Sequence, residues 1–511
     1  MRWILQSTCL FTIMLFLRKE RFAIYTANRE FNLDKYTNQN FCPMPTMAEL
    51  RDTLNKAENS DAKKQIAALF DKGTFIETSV YTKRGYSEFI NTERTNEFEG
   101  VVCGYGAING KLAFVFAEDA DRMGGAIDER HAKKICDLYK LALDNGAPVI
   151  GIFNSNGVDV FEGTAGLAAY GKIMSSVAKA SGVIPQIAFV TGKCIGTCAA
   201  IAAMFDIVVK ENTASLYVSS PLLTDVYGAQ DAVVAFTSDL SQCAQYVKNL
   251  ISFLPSNSSI GIQSSEIHTD NLNRKLGDIN FAGDAIEAIT AICDNGVYYE
   301  LSSDFAKVAK TAFATIAGIK CGIVATSFND DEGRITSEAA KKIAKFVNLC
   351  DSFSLPVVTL VDSLGLAINE SNEKNFAPEL GRLAFSYAIS KVPKVTIILG
   401  HAIGASFVLL GSKSLGADIV YSVENSEIGA LSATSGVAFA WDKYITEEMT
   451  RESLIEDWKS SVSSPARAAE SGEIDDLISV NELRARICSA LLMLAYKGAH
   501  SMAARRKVLP L

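Results

Sequence analysis

One spacing recurs through this chain: segments 208 positions apart match. HAKKICDLYKLALDNGAPVIGIFNSNG (131–157) aligns without a gap on AAKKIAKFVNLCDSFSLPVVTLVDSLG (339–365). Ala132 meets Ala340, Ile135 meets Ile343, Pro148 meets Pro356 and Gly157 meets Gly365. The same offset sets PQIAFVTGKCIGTCA (185–199) on PKVTIILGHAIGASF (393–407), so Gly192 meets Gly400 and Gly196 meets Gly404. Backwards, Gly110 meets Gly318 and Gly125 meets Gly333. Held over nearly a hundred positions, one offset means two copies of one domain. A chain of 511 residues is also too long for one ordinary core. The polar, turn-rich stretch PSNSSIGIQSSEIHTDNLN (255–273) holds the boundary, giving domains 47–265 and 266–511.

Each copy reads alike. A turn-linked strand pair (VVCGYGAINGKLAFVFA; AFATIAGIKCGIVAT) leads through a glycine-bearing loop into a helix. Ile135, Leu138, Leu141 and Leu143 place the first such helix at about 129–145. The runs VIGIF and VVTLV do not alternate, so they predict strands buried on both faces of a parallel sheet. Strands alternating with helices make the fold class α/β with right-handed crossovers.

Composition narrows the function. A formal charge of −9 argues against a nucleic-acid partner. Eleven cysteines without C-x-x-C pairs, and four histidines, suit neither a metal site nor a disulfide framework, so no metal is expected and a reducing cytoplasm is. No G-x-G-x-x-G or Walker lysine loop occurs. Residues 1–46 stand apart as an N-terminal extension. Their uncharged run, Trp3–Leu17, is short for a membrane span and reads as a start-site artefact ahead of Met44 or Met47, or as a weak anchor.

The turn after each late apolar strand carries glycine, and a helix begins at once. Such a turn leaves N–H groups unpaired at the helix start, where they can stabilise an oxygen that becomes negative. Gly196, Cys198 and Ala199 in one copy, and Gly404, Ala405 and Ser406 in the other, are small enough for close approach. One such donor is worth about 2.7–4 kcal/mol of transition-state stabilisation. Two related turns suit chemistry with two oxyanions, one per reactant.

These residues resemble the carboxyltransferase subunit of biotin-dependent acyl-CoA carboxylases (acetyl- and propionyl-CoA carboxylase beta chains) and of sodium-pumping methylmalonyl-CoA and glutaconyl-CoA decarboxylases (alpha subunits). The likeness runs from about Leu69 to Leu511 through LFDKGTFIE (69–77), VVCGYGAINGKLAFVFAEDADRMGGAI (101–127), HAKKICDLY (131–139), GAPVIGI (146–152), ASGVIPQI (180–187), VNLCDSFSLPVVTLVD (347–362), VPKVTIILGHAIGASF (392–407) and IDDLI…RARI (474–487). It implies tandem duplicated crotonase-like domains, each a ββα superhelix. It also implies an active site between the first domain of one subunit and the second of another, commonly in a homo- or hetero-hexamer. Acyl-CoA would lie on the first domain, and biotin, on a separate carrier protein, would enter from the second. A biotin carboxylase subunit or a membrane ion-pump subunit would complete the complex, with the chain cytoplasmic or peripheral at the inner membrane face. The chain has no M-K-M-type biotinylation site of its own.

Carried over residue by residue, the resemblance puts the first oxyanion turn at Gly196 and Thr197 and the second at Ala405 and Ser406. It sets Gly124, Gly125 and Ala126 near the CoA thioester or pantetheine arm, with Gly157, Gly365 and Gly404 closing turns and Val408 lining a pocket for a short aliphatic acyl group. The chain departs from the family at Gly196-Thr197, where paired glycines are usual, and at Gly404-Ala405-Ser406. Thr197 would be strained if its position requires positive φ. NSNGVDVFEG (154–163) sets Asp159 where a cation is common, and SLGL (363–366) lacks a proline.

Other residues have two readings. Cys194 and Cys198 are a thiol or metal pair or, by default, packed structure; Asp159 and Glu162 an acid–base pair or a solvated loop. His131 and His401 flank the cleft, and His401 assists CoA or biotin binding or is an ordinary loop residue. Lys133-Lys134 and Lys341-Lys342 are expected on exposed helix faces. The leading function is carboxyl transfer between biotin and a short acyl-CoA, its direction open. The alternatives are a non-catalytic paralogue scaffolding a hetero-oligomer, motivated by the altered turns, and a crotonase-type hydratase or hydrolase.

Overall fold

Two β-hairpins frame the chain. In the computed structural model, their turn residues Asn109-Gly110 and Ala317-Gly318 all lie at positive φ (48°, 75°, 52° and 72°), as a two-residue turn matched to strand twist requires. Each turn is clamped by one aspartate. Asp71 accepts the Asn109 and Gly110 amides at 3.0 and 2.8 Å; Asp294 accepts those of Ala317 and Gly318 at 3.1 and 2.9 Å. The structure describes residues 46–49, 51, 60–83, 98–222, 232–265, 267–277 and 283–497. They belong to two units, Met1–Glu58 and Asn59–Leu511. In the first, the Thr46 amide and hydroxyl donate to the Glu49 carboxylate. The expectation for residues 1–46 lies, but for Thr46, outside the described residues.

The second unit holds two sheets of one design. The first comprises β1 (Ile76–Thr78), β2 (Val101–Ile108), β3 (Lys111–Glu118), β4 (Val149–Ser155), β5 (Gln186–Ile195), β6 (Ile207–Glu211), β7 (Ser215–Tyr217) and β8 (Phe236–Ser238). The second comprises β9 (Tyr298–Leu301), β10 (Ala309–Ile316), β11 (Ile319–Thr326), β12 (Val357–Ser363), β13 (Lys394–Ile403), β14 (Ile419–Val423), β15 (Glu427–Gly429) and β16 (Asp476–Ile478). Their orders are β1-β2-β3-β4-β5-β6-β8 and β9-β10-β11-β12-β13-β14-β16, with β7 on β5 and β15 on β13. In each, the first three strands are antiparallel and the rest parallel. The 208 offset holds strand for strand from β2 and β10 through β5 and β13, down to a matching register shift beside Ser155 and Ser363, whereas β1 and β9 fall outside it.

The helices are α1 (Asp61–Leu69), α2 (Glu129–Asn145), α3 (Thr164–Ala180), α4 (Thr197–Ala203), α5 (Leu240–Phe253), α6 (Ala285–Ile292), α7 (Ser337–Ser352), α8 (Glu370–Ile389), α9 (Ala405–Leu409), α10 (Ala433–Gly436), α11 (Arg451–Ser461), α12 (Pro465–Glu470) and α13 (Leu483–Leu494). α2 occupies the expected residues, started by the Asp128 side chain on the His131 amide and ended by left-handed Gly146. Its buried stripe is Ile135, Leu138, Tyr139 and Ala142, whereas Leu141 is exposed. Among the described residues, no helix is long and apolar enough to cross a membrane.

The two halves share a core. One cluster of buried side chains runs from Val102, Phe189 and Val247 to Phe313, Val324 and Val347. α5 is the wedge: Phe253 stacks on Phe313 at 5.3 Å, and the Tyr246 hydroxyl donates to Glu300 O. Lys111 from one hairpin and Lys320 from the other both cap its C-terminal carbonyls. Burial, with Lys111 nearby, brings the Lys320 amine down to about 8. The chain crosses between halves within a few residues. Ser258 donates to Val183 O in the first, and Ser265 to Gly318 O in the second.

Arg484 of α13 is fully buried. It meets Asp294 at 2.6 Å and Asp270 at 3.3 Å, and donates to the Ile292 and Asn271 carbonyls. Removing one partner of such a pair strands the other charge. Arg484→Met is therefore expected to destabilise the protein by about 3–5 kcal/mol. Thermal unfolding followed by circular dichroism checks this, and adding Asp294→Asn should return part of the loss.

Candidate active site

Two glycines four apart end β5, and they do different work. At Gly192 a Cβ would lie 2.2 Å from Asn154 Oδ1. That side chain crosses the glycine to accept the Lys193 amide at 3.1 Å, while the Asn154 amide donates to Glu118 at 2.9 Å. The second half repeats this at the same offset. A Cβ at Gly400 would meet Asp362 Oδ1 at 2.5 Å; Asp362 accepts the His401 amide at 2.8 Å and donates its own to Thr326 Oγ1 at 2.7 Å. Glycine at 192 and 400 thus makes room for a polar side chain that pins the strand extension.

Gly196 and Gly404 set the turn. Their φ/ψ of 63°/−131° and 59°/−131° are nearly closed to other residues. Each spends its own amide on the neighbouring short strand, Gly196 on Tyr217 O at 3.0 Å and Gly404 on Gly429 O at 2.8 Å. The donors left over are the next two amides. Those of Thr197 and Cys198, and of Ala405 and Ser406, have no acceptor among the described residues. Gly196 therefore supplies conformation, and Cys198 joins Thr197 as the donor pair. Thr197 itself is not at positive φ, so its branched side chain carries no backbone strain.

The remaining predicted residues gather beside these turns. Ser155 and Ser363, both fully buried, donate to Gly125 O at 2.7 Å and Gly333 O at 2.9 Å. Each also accepts the amide two residues on, from Gly157 or Gly365, whose φ values are 106° and 105°. Gly157 lies beside the Tyr170 hydroxyl, which contacts Cys198 Sγ at 3.7 Å; Gly365 lies beside Ile403 O. Gly124, Gly125 and Ala126 flank this strand end, but their amides are bonded to Ala120, Arg122 and Met123. Gly124 and Ala126 offer half-buried surface rather than free donors, and Gly125 is buried with its carbonyl taken by Ser155. Ser406 is buried with its hydroxyl on Ile403 O, so it offers only its amide. Val408 is 44 % exposed and stands three residues from exposed Ala405, on the same helix face.

Several readings resolve. Cys194 and Cys198 are buried, and desolvation pushes both thiols up, which leaves them unreactive packing groups. Among the described residues no cluster could hold a metal ion. Asp159 is not solvated: it is buried and caps the Phe161 amide. Glu162 accepts the Glu129 amide. Lys133 is exposed and paired with Asp137, but Lys134 and Lys342 are buried, contrary to the expectation of exposed faces. Each passes its amine along the sheet edge to main-chain carbonyls, Lys134 to Val101 and Lys342 to Ser302 and Phe305. Burial brings the Lys342 amine down to about 7.

Sequence reasoning missed the pinning side chains. Glu118 is buried at the end of β3, and desolvation lifts its carboxyl to about 8. The signal was present, since Asn154 and Asp362 are polar residues ending apolar strands at matched positions. His401 Nδ1 meets Asp362 Oδ1 at 2.8 Å, and the Phe328 ring stacks on the imidazole at 5.2 Å. This pair lines a cleft of about 580 Å³ with Asp284, Glu424 and Asn425.

Comparison with known proteins agrees with this duplication. The carboxyl transferase domain family matches residues 58–235 and 228–509. The chain is 31% identical to the methylmalonyl-CoA decarboxylase subunit alpha of Veillonella parvula, over 85% of this chain and 90% of that one. It is 30% identical to the mitochondrial propionyl-CoA carboxylase beta chain of Rattus norvegicus, over 88% and 87%. The structure of transcarboxylase 12S, a hexamer with methylmalonyl-coenzyme A bound, superposes with a TM-score of 0.80 at 27% identity, over 90% of this chain and 95% of that one. Duplicated α/β domains with mostly parallel sheets fit the crotonase-like fold. The chain belongs to the carboxyl transferase domain family, that of the biotin-dependent acyl-CoA carboxyltransferases.

Proposed function

We propose that this chain is a carboxyltransferase subunit moving a carboxyl group between biotin on a carrier protein and a short-chain acyl-CoA. The observation that carries this is the pair of matched turns, each presenting two main-chain amides without an acceptor among the described residues. Such donors stabilise an oxygen as it gains charge, and being fixed they need no rearrangement during reaction. Acyl-CoA is assigned to the first domain, 47–265. There Thr197 and Cys198 would hold the thioester oxygen as the α-carbon becomes nucleophilic, with Gly124, Gly125, Ala126 and Gly157 beside the thioester arm. Biotin is assigned to the second domain, 266–511, where the donor set of Ala405 and Ser406 on a glycine turn suits a neutral carbonyl oxygen that turns negative. When bound, biotin supplies the ureido nitrogen that carries the carboxyl group. Val408 would face a short aliphatic acyl group, and Gly365 and Gly404 shape the floor beside it.

The relatives' names extend the proposal. A hexamer in which a first domain of one subunit faces a second domain of another would bring the two turns to one reaction. A biotin carrier and either a biotin carboxylase or a membrane ion-pump subunit would be the partners. Thr197 is not at positive φ, so backbone strain there does not speak for the non-catalytic reading.

Methylmalonyl-CoA, malonyl-CoA and glutaconyl-CoA, each offered with free biotin, test the reaction. Release of labelled CO₂ that depends on biotin is the expected result. Hydration of crotonyl-CoA, or inertness of the folded protein toward all three, overturns the proposal.

The turns are tested separately. Ala at Gly404 would force an L-residue into a region costing about 1–3 kcal/mol, with its Cβ 3.4 Å from Ala430 O; Ala at Gly196 meets only the backbone cost. Gly404→Ala should lower biotin-dependent carboxyl transfer by about 10²–10³-fold while sparing α-proton exchange of the acyl-CoA. Gly196→Ala should lower both. Exchange measured by mass spectrometry in deuterated buffer checks the split.

A further inference from the structure

The two pinning side chains differ in one respect that the duplication makes visible. In the first half Asn154 Oδ1 accepts one donor from residue 193, the Lys193 amide. In the second half Asp362 Oδ1 accepts two from residue 401, the His401 amide and Nδ1, both at 2.8 Å. That double contact falls where the β12/β13 register shifts, and three residues before Gly404. We infer that Asp362 and His401 form a positioning pair that fixes the second turn, and with it the Ala405 and Ser406 amides. This rests on the assignment of those amides to the biotin half of the reaction.

The surroundings support a device with a charge-dependent grip. Phe328 stacks on the imidazole and limits its rotation. The groups facing His401 are Asp362 from β12, Glu427 opposite it on β15, and Lys459 from α11, with Asp284 and Glu424 across the cleft. The carboxylates outnumber the lysine. The hydrogen bond to Asp362, more than any other influence, holds the imidazole pKa above its ordinary value, against a lowering by burial. The sign follows: the ion pair is fully present below about pH 6.5 and weakens as pH rises through the raised value. The first half has a neutral amide at the matching position, and the titratable group on its network is Glu118, which accepts the Asn154 main-chain amide and gains charge as pH rises, the opposite sense to His401 losing it.

The experiment uses the full chain, methylmalonyl-CoA and free biotin, with kcat and KM measured between about pH 6 and 9. Wild-type turnover establishes the underlying reaction; its absence would overturn that reading, and this inference with it. Given turnover, Asp362→Ala is expected to lower biotin-dependent kcat about 10–100-fold with little change in the acyl-CoA KM, as a displaced catalytic group does. Asp362→Asn should recover most of that rate, because Asn154 performs the amide contact in the first half. Both Asp362→Asn and His401→Gln should abolish an alkaline fall in kcat seen in the wild type. Wild-type kcat in Asp362→Ala, or an unaltered alkaline limb in the other two, overturns the inference while leaving the reaction standing. Should Asp362→Ala fail to fold, the other two variants decide alone. Carbon-13 labelling of the four histidines, with His401→Gln to assign the signal, gives a readout independent of turnover. The His401 resonance should titrate above the ordinary imidazole value and fall back in Asp362→Asn.

Discussion

The site depends on a left-handed backbone turn that only glycine tolerates and that a side chain from the neighbouring strand holds in place. Gly196 and Gly404 turn the chain, and their own amides are consumed in fixing it to β7 and β15. What emerges is a short helix whose first two amides point away from any protein acceptor among the described residues. The polarity comes from the main chain, which explains how Thr197 can stand where glycine is usual, and Ala405 and Ser406 in a glycine-rich run. A donor defined by backbone geometry tolerates a change of side chain, provided the left-handed position stays one residue upstream.

Around that constraint the halves keep what the turn needs and change what it does not. The hairpin clamps Asp71 and Asp294 and the serines Ser155 and Ser363 recur with equivalent partners, and the glycines Gly192 and Gly400 recur facing Asn154 in one half and Asp362 in the other. Past the second turn the chain diverges. β16 follows an insertion that carries α10, α11 and α12, and α13 is tied back by Arg484. The halves are also not interchangeable in packing, because α5 lies between them and receives a lysine from each hairpin. A shared core of this kind fixes the halves of one chain relative to each other, so any pairing of unlike turns must come from another subunit or from the placement already built in.

Much of this was legible because the sequence is written twice. A strand that reads as VIGIF once is ambiguous; the same strand at a fixed offset, followed by the same Ser-x-Gly and then by Gly-x-x-x-Gly, gives order, register and turn together. What escaped is what period and glycine spacing do not encode. Lys134 and Lys342 look like solvated helix residues, yet their long stems run under the sheet edge to reach carbonyls. Asp159 looks like loop charge and is a buried cap. Leu141 fits the helical pattern and faces out, because Tyr139 and Ala142 take the buried stripe. The loop Gly124–Ala126, set near the thioester arm by the resemblance, has its amides spent locally. Bond accounting, not residue type, separates an available donor from a committed one.

The matched positions 154 and 362 carry the argument one step further. An amide at one and a carboxylate at the other accept the same main-chain N–H, so the structural demand is for an acceptor and not for charge. Charge at Asp362 therefore answers something else in its half, and among the described residues the difference in what the two side chains accept is the imidazole of His401. Duplication supplies the control that a single domain lacks: one copy shows the minimum that holds a turn, and the other shows what was added to it. In this chain the addition sits on the half assigned to the incoming carrier, whose reactant must arrive and leave in each cycle. A turn that meets a visiting group benefits from a grip that is set before the visitor arrives, since any ordering left until then is subtracted from binding. The second bond from Asp362 to residue 401 provides that ordering in advance.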